Sequence, residues 1–324
     1  LSEVLTARQK SGLRALDDQS VSVVDSLVES RSAAITDRRS LLWAWALILL
    51  LGAIDWYWAG RNGWVFVGWP RMIVSVTLLL GIGLYYGFSE RNSELADAGH
   101  YAAAWIAFAL AGAVFTYLTA TLRMPLRDAD LMRLDAIFGF DWFVWSRWVA
   151  AHHLLRNVLE AAYNTFLLQI VGSVLYLAHV RRNERNNELL WAGMISLIIT
   201  ALISGFFPAM APYFPGPPDA CTVALIGLRK GTVSRFVFSD LQGIIAIPSF
   251  HCVMAFVLIY THRPPVRSFY PILILNLLML FSTPSQGHHY LVDLIAGGAV
   301  AVLSIVAVRV AIKRFQPADR DGWR

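Results

Sequence analysis

Three side chains in this sequence are of types that hydrocarbon tolerates poorly, and they stand at the ends of apolar runs. His251 lies in Pro248-Ser249-Phe250-His251, and His289 and Asp293 lie in Gly287-His288-His289-Tyr290-Leu291-Val292-Asp293. Ionisable groups in such places are costly and mark chemistry. His289 and Asp293 are four residues apart, which on a helix puts them on one face within hydrogen-bond reach. A carboxylate so placed holds one ring nitrogen as N–H, leaves the other unprotonated and nucleophilic, and stabilises the imidazolium as it forms. His251 supplies a second imidazole, suited to act as general acid. Ser249, two residues before it, sets a hydroxyl beside the free N–H groups of a helix start, where phosphate is attracted. Together these parts suit displacement at phosphorus, with one histidine attacking and the other protonating the leaving oxygen. Arg229, Lys230 and Arg235 are the nearest cations in sequence, and an anionic transition state needs some. Each alone reads as a solvated loop charge; the expectation is that at least one of the three binds phosphate. For His288 two readings stay open, a second catalytic or headgroup-binding imidazole and an interfacial polar residue.

The elements that hold these residues are membrane helices. Hydrophobic residues make up 57% of the 324 and charged residues 15%, against about a quarter charged in an ordinary soluble chain. This composition predicts an all-α polytopic integral membrane protein. A spanning helix needs about 20 apolar residues, and eight such stretches are read, near 41–59, 68–88, 101–121, 156–179, 189–208, 248–262, 269–284 and 290–312. Residues 1–40 read as a cytosolic amphipathic segment and 315–324 as a cytosolic tail. The chain lacks an initiator Met and a cleavable signal pattern, which reads as processing or trimming. The tails and the short loops holding Arg181, Arg182, Arg185, Arg263 and Arg267 are basic, so positive-inside logic puts both termini in the cytoplasm and the histidine motifs outside it.

Several secondary features carry expectations too. Residues 124–150 alternate acidic and aromatic residues and read as two short interfacial helices with Trp142, Trp145 and Trp148 at headgroup depth. Arg156, Glu160 and Asn164, with Gln169 further round, form a polar line on one helix face, which in a span turns to the bundle interior or a wet cavity. It reaches a lipid headgroup or its acceptor, or forms a hydrogen-bond ladder between helices. Asp55 and Arg71 read as charges near the interface, His152 and His153 as surface residues, and His100, His179 and His262 as boundary residues. Gly297 and Gly298 read as close helix packing. Cys221 and Cys252 match no disulfide framework or zinc spacing, and Cys252 reads as a structural thiol. No basic patch on a soluble surface suggests nucleic acid.

Pro248-Ser249-Phe250-His251 resembles the Pro-Ser-x-His motif of the type-2 phosphatidic acid phosphatase superfamily, and His289-x3-Asp293-x3-Gly297 resembles its last motif. The two are separated by one intervening helix, as in that superfamily. The resemblance covers roughly residues 100–312, a six-helix core within 96–314, and leaves helices over 41–95 as an N-terminal addition. It implies a nucleophile at His289, an orienting carboxylate at Asp293, a leaving-group acid at His251 and a phosphate contact at Ser249. The superfamily's Lys-x6-Arg-Pro motif is missing, and Thr283 stands where an Arg normally precedes the nucleophile by six residues. These losses, the doubled His288-His289-Tyr290 and the Phe207-Pro208-x3-Pro212-Tyr213 run resemble the branch containing the fungal inositol phosphorylceramide synthases.

The expectation is a lipid phosphatase or phosphotransferase, independent of metal or other cofactor, facing outward from a bacterial inner (plasma) membrane. Its substrate is a lipid phosphate or phosphodiester, its intermediate a phosphohistidine, and its acceptor water, a polyol or a lipid hydroxyl. One alternative is inositol-type polyol phosphotransfer to a lipid hydroxyl. Rivals of other classes are a transporter using His and Asp as a proton relay, a hydrolase binding metal through His251, His289 and Asp293, and a silent scaffold of the same fold.

Overall fold

The computed structural model describes residues 39–89, 91–212, 220–241 and 243–315. The chain divides into two compact units, 1–43 and 44–324. Of the first, only the opening turn of α1 (Arg39–Arg61) is described, so the reading of 1–40 as an amphipathic segment falls almost wholly outside the described residues. The tail read over 315–324 does too. All elements after α1 belong to the second unit.

These are β1 (Val65–Val67), α2 (Trp69–Ser89), α3 (Ser93–Ala120), α4 (Asp128–Ile137), α5 (Trp142–Ala151), α6 (His153–Asn164), α7 (Phe166–His179) and α8 (Asn183–Phe206). Then come α9 (Ala220–Lys230), β2 (Arg235–Val237), α10 (Phe250–Thr261), α11 (Phe269–Gln286) and α12 (Leu291–Phe315). Among the described residues, α1, α2, α3, α8, α11 and α12 are each long and apolar enough to cross a bilayer, and α6 with α7 make a seventh span if taken as one. The protein is an all-α polytopic membrane protein. Leucines such as Leu167, Leu168 and Leu303 lie well exposed, the pattern of a surface that meets lipid.

Two of the eight expected stretches differ from a simple span. The stretch 156–179 is broken at Thr165, where α6 and α7 meet at 50°. The Thr165 hydroxyl donates to the Ala162 carbonyl at 2.6 Å, and the Thr165 N–H turns to the same carbonyl in a tight cap. The stretch 248–262 holds only the twelve-residue α10, about 18 Å long at 1.5 Å per residue and short of the ~30 Å hydrocarbon core.

Helix α8 is central, packing against α3, α10 and α12, while α2 packs against α3. At the opening of α8, Glu188 accepts from both arms of Arg263 at 2.7 and 2.9 Å and from the Tyr260 hydroxyl at 3.1 Å. This bidentate pair ties α8 to the end of α10 that lies away from His251. Near that end His262 is buried with both ring nitrogens engaged, to Ser268 and Ser173. Asp55 is likewise buried, with neither oxygen bonded. His262 closes α10 as its C-cap, at the boundary expected from sequence, and both side chains are covered by protein.

A three-residue parallel pairing joins β1 to β2, Phe66 opposite Phe236. Trp64, Phe66, Phe236 and Tyr117 close a small aromatic core around it, with Trp64 and Phe236 centroids 4.5 Å apart. The segment after α1 is thereby fastened to the segment that leads into the first histidine motif.

Candidate active site

Helices α10 and α12 start side by side. A Cβ on Gly297 would stand 2.7 Å from the Ser249 carbonyl and 3.0 Å from Cys252 Cβ, so only glycine permits this approach, as the close-packing reading expected. Across the contact the Ser249 N–H donates to the Asp293 carbonyl at 3.1 Å, and the Cys252 thiol donates to the Leu294 carbonyl. Ser249 is fully buried and caps α10, its hydroxyl accepting from the Cys252 N–H.

The turn between α11 and α12 delivers His289. Its second residue, His288, is held at φ 53°, a left-handed conformation that costs an L-residue about 1–2 kcal/mol. His288 packs edge-on against Trp142, centroids 5.9 Å apart, and His289 turns inward and is buried. The Nδ1 of His289 lies 2.7 Å from the Ala246 carbonyl and 3.4 Å from Asp293 Oδ2. A carbonyl only accepts, so Nδ1 carries the proton and Nε2 has the free lone pair. Asp293, wholly buried, spends the same oxygen on the Tyr290 N–H at 2.9 Å. The carboxylate therefore stands behind the histidine, as its spacing predicts, but the shortest orienting contact is the backbone of Ala246.

His251 is half-buried against two aromatic rings. Tyr163 stacks on it at 4.2 Å and 19°, and Phe166 lies at 4.3 Å. The Tyr163 hydroxyl is 3.4 Å from His251 Nδ1. A Cβ added to Gly287 would fall 2.7 Å from that same hydroxyl and 2.8 Å from His289 Cδ2. Tyr163 thus packs on the His251 ring and reaches the turn that carries His289.

Helix α4 braces the turn. Asp135, buried, accepts from the Leu291 and Val292 N–H groups at 2.9 Å each, capping α12 from a distant part of the chain. Burial pushes its carboxyl above the usual range against the pull of those two donors. Asp128 accepts from the Tyr290 hydroxyl at 3.2 Å and from the Met210 N–H at 3.0 Å. Burial, then the nearby Asp128, pushes the Tyr290 phenol up. Trp142 is buried too, and its indole N–H donates to the Pro284 carbonyl at 2.6 Å, one of the last carbonyls of α11. It closes a helix end; Trp148 is exposed.

The three expected cations lie at the end of α9 and in β2. Arg229 donates to the Met124 carbonyl at 2.8 Å; burial pulls its guanidinium down and Asp128 opposes the shift. Lys230 and Arg235 are exposed, at the end of α9 and in β2. The polar line on α6 is not a ladder either. Arg156, Glu160 and Asn164 are exposed, and only Gln169, beyond the break, is buried, where it accepts from Asn276 at 2.7 Å. Among the described residues no three His, Cys, Asp or Glu side chains converge as a metal cage.

Sequence reading thus reached His251, His289, Asp293 and Ser249 and missed Tyr163, Ala246, Asp135 and Gly287. For Asp128 and Asp135 a signal existed, since seven residues is two helical turns and sets both on one face. A family model described as the PAP2 superfamily matches residues 129–307, more than half of the chain. No curated protein and no solved structure matches it.

Proposed function

Because the chain belongs to the PAP2 superfamily, whose members are generally phosphatases or phosphotransferases, we propose that it acts on a lipid phosphate through a phosphohistidine on His289. The observation that supports this most is the fixed tautomer of His289. Its Nδ1–H is committed to Ala246 with Asp293 behind it, which leaves the Nε2 lone pair for phosphorus. In the first step Nε2 forms the N–P bond while the ester P–O bond breaks, and the leaving oxygen takes a proton from His251. In the second, an acceptor oxygen attacks phosphorus, returns its proton to His251 and releases His289. Water as acceptor gives hydrolysis; the hydroxyl of a polyol or lipid gives transfer, the outcome that the likeness to inositol phosphorylceramide synthases favours.

Both termini are cytoplasmic in this reading and the site faces the opposite side, which the basic loops support. The helices over 41–95 are then an addition to the catalytic core, joined to it through β1 and β2. Ser249 and the α10 start receive the phosphate, with His288 and one of Arg229, Lys230 and Arg235 closing on it when the lipid binds.

Purified protein given labelled lipid phosphates, with and without inositol, should release phosphate or form a phosphodiester. It should also carry acid-labile label on His289. His289→Ala is expected to abolish turnover and labelling; near wild-type turnover in that variant would sink the assignment. Full activity in excess chelator together with inhibition by vanadate separates this route from metal-dependent hydrolysis.

A further inference from the structure

Toward the ends of α10 and α12 that lie away from the histidines, three guanidinium groups meet one carboxylate. Glu188, buried near the start of α8, is held by both arms of Arg263 and by the Tyr260 hydroxyl. Arg263 is committed there. Its Nη1 also donates to the Tyr260 carbonyl at 2.8 Å, and its guanidinium lies over the Tyr260 ring at 3.9 Å. Arg185, on α8, approaches the same carboxylate only to 3.6 Å, too far for a hydrogen bond. Its Nη1 is buried and has no partner. Arg309 of α12 adds a third positive charge to the field at Glu188. Glu184 acts on the cluster as well, but it is paired with Arg182 at 3.5 Å.

Burying a charged N–H without an acceptor carries the full desolvation penalty of that group. The cluster therefore calls for an anion that the chain itself does not supply. The side chains of Arg185 and Arg263 are 13% and 29% exposed, and Arg309 is exposed, so the cluster opens outward beside α12. On that helix Arg309 has the exposed Val306 and Val310 as neighbours, so the opening faces lipid. From Asp293 to Arg309 the helix rises about 24 Å at 1.5 Å per residue, against a hydrocarbon core of ~30 Å. The cluster thus stands at headgroup depth on the face opposite the histidines, where basic pockets between membrane helices receive anionic headgroups. A phosphate held there is out of reach of His289, so the occupant is not the substrate.

We propose that Arg185 and Arg309 bind the phosphate of an anionic lipid in the leaflet opposite the histidines, with the Glu188–Arg263 pair as a fixed brace. The site is separate from phosphotransfer at His289 and does not depend on it. The phosphate supplies the acceptor that Arg185 Nη1 lacks, and the lipid chains lie along Val306 and Leu303. Because α8 and α12 supply the two arginines and Arg263 ties in α10, the bound lipid holds the ends of three packed helices together.

The test titrates the whole chain in maltoside detergent with phosphatidylglycerol, with phosphatidylcholine of the same chains, or with inorganic phosphate. The midpoint of thermal unfolding is followed, since a ligand of the folded state raises it. Phosphatidylglycerol is expected to raise the midpoint saturably. Phosphatidylcholine, whose cationic headgroup the arginines repel, and inorganic phosphate are expected to leave it unchanged. Arg185→Gln and Arg309→Gln should each raise the half-saturating lipid concentration about tenfold or more, as loss of one charge-assisted contact does. Arg267→Gln removes an exposed charge at the same end but outside the cluster, and is expected to keep the wild-type affinity. Equal weakening in Arg267→Gln assigns binding to diffuse surface charge and overturns the site. Unaltered binding in Arg309→Gln, an exposed position whose substitution leaves the fold intact, overturns it too. A rise with inorganic phosphate as large as with the lipid overturns the lipid as occupant.

Discussion

Replacing Tyr163 by Phe isolates one hydroxyl at the centre of the site. When His251 acts as acid, its Nδ1–H donates to the phenol oxygen and its Nε2–H faces the leaving oxygen. The 3.4 Å separation is long for a hydrogen bond, so of the ~0.5–1.5 kcal/mol a typical one contributes the lower half applies. At about 1.4 kcal/mol per tenfold, losing ~0.5–1 kcal/mol slows turnover roughly two- to fivefold. Tyr163→Ala also removes the stack at 4.2 Å, worth about 0.5–1.5 kcal/mol more, and should lose roughly five- to fiftyfold. The assay is turnover of two substrates that differ in leaving group, an alkyl phosphate ester of a lipid and a nitrophenyl phosphate. A nitrophenolate departs without a proton, so a loss that acts through the acid disappears with it. His251→Ala sets the scale of that contrast. Equal losses of Tyr163→Phe on both substrates would refute the reasoning and reduce Tyr163 to a packing residue.

Gly287→Ala would push a methyl group into the Tyr163 hydroxyl and the His289 ring; activity is expected to fall at least tenfold while helix content by circular dichroism is unchanged. Asp135→Ala leaves two backbone donors at the start of α12 without an acceptor. It is expected to cost about 2 kcal/mol, read as a lower midpoint of unfolding in detergent. The same carboxyl binds its proton more tightly folded than unfolded. Stability from this group is therefore greatest below its unfolded pKa and declines as pH rises through the raised folded value. Asp135→Asn should remove that slope, and a slope that persists assigns it to other groups.

Length and apolarity made the long spans legible, because α2, α3, α8 and α12 each carry enough uninterrupted apolar residues to be recognised alone. His289 and Asp293 were legible for a local reason too, a spacing of one helical turn. The short α10 was legible as well, since the stretch read over 248–262 begins within two residues of Phe250 and ends within one of Thr261. The break at Thr165 carries no glycine or proline to announce it. Tyr163 escaped because its partner lies 88 positions away and a single tyrosine in a span has no periodicity. The partner of the buried Trp142 escaped for a related reason, since it is a carbonyl at the end of α11 that only the folded chain brings near.

The shortness of α10 has a chemical return. Had the helix begun four residues earlier, the Ala246 carbonyl would have been consumed by the Phe250 N–H in the helical ladder. Starting at Phe250 leaves residues 243–249 outside the helical ladder, with Ile244, Ala246 and Ser249 buried in protein, a setting in which unwound backbone survives at membrane depth. The released carbonyl is the one that fixes the proton on His289. An unwound turn thus converts a backbone acceptor from structural use into a tautomer lock, and substitutions that favour winding α10 upward would unlock the histidine without touching it.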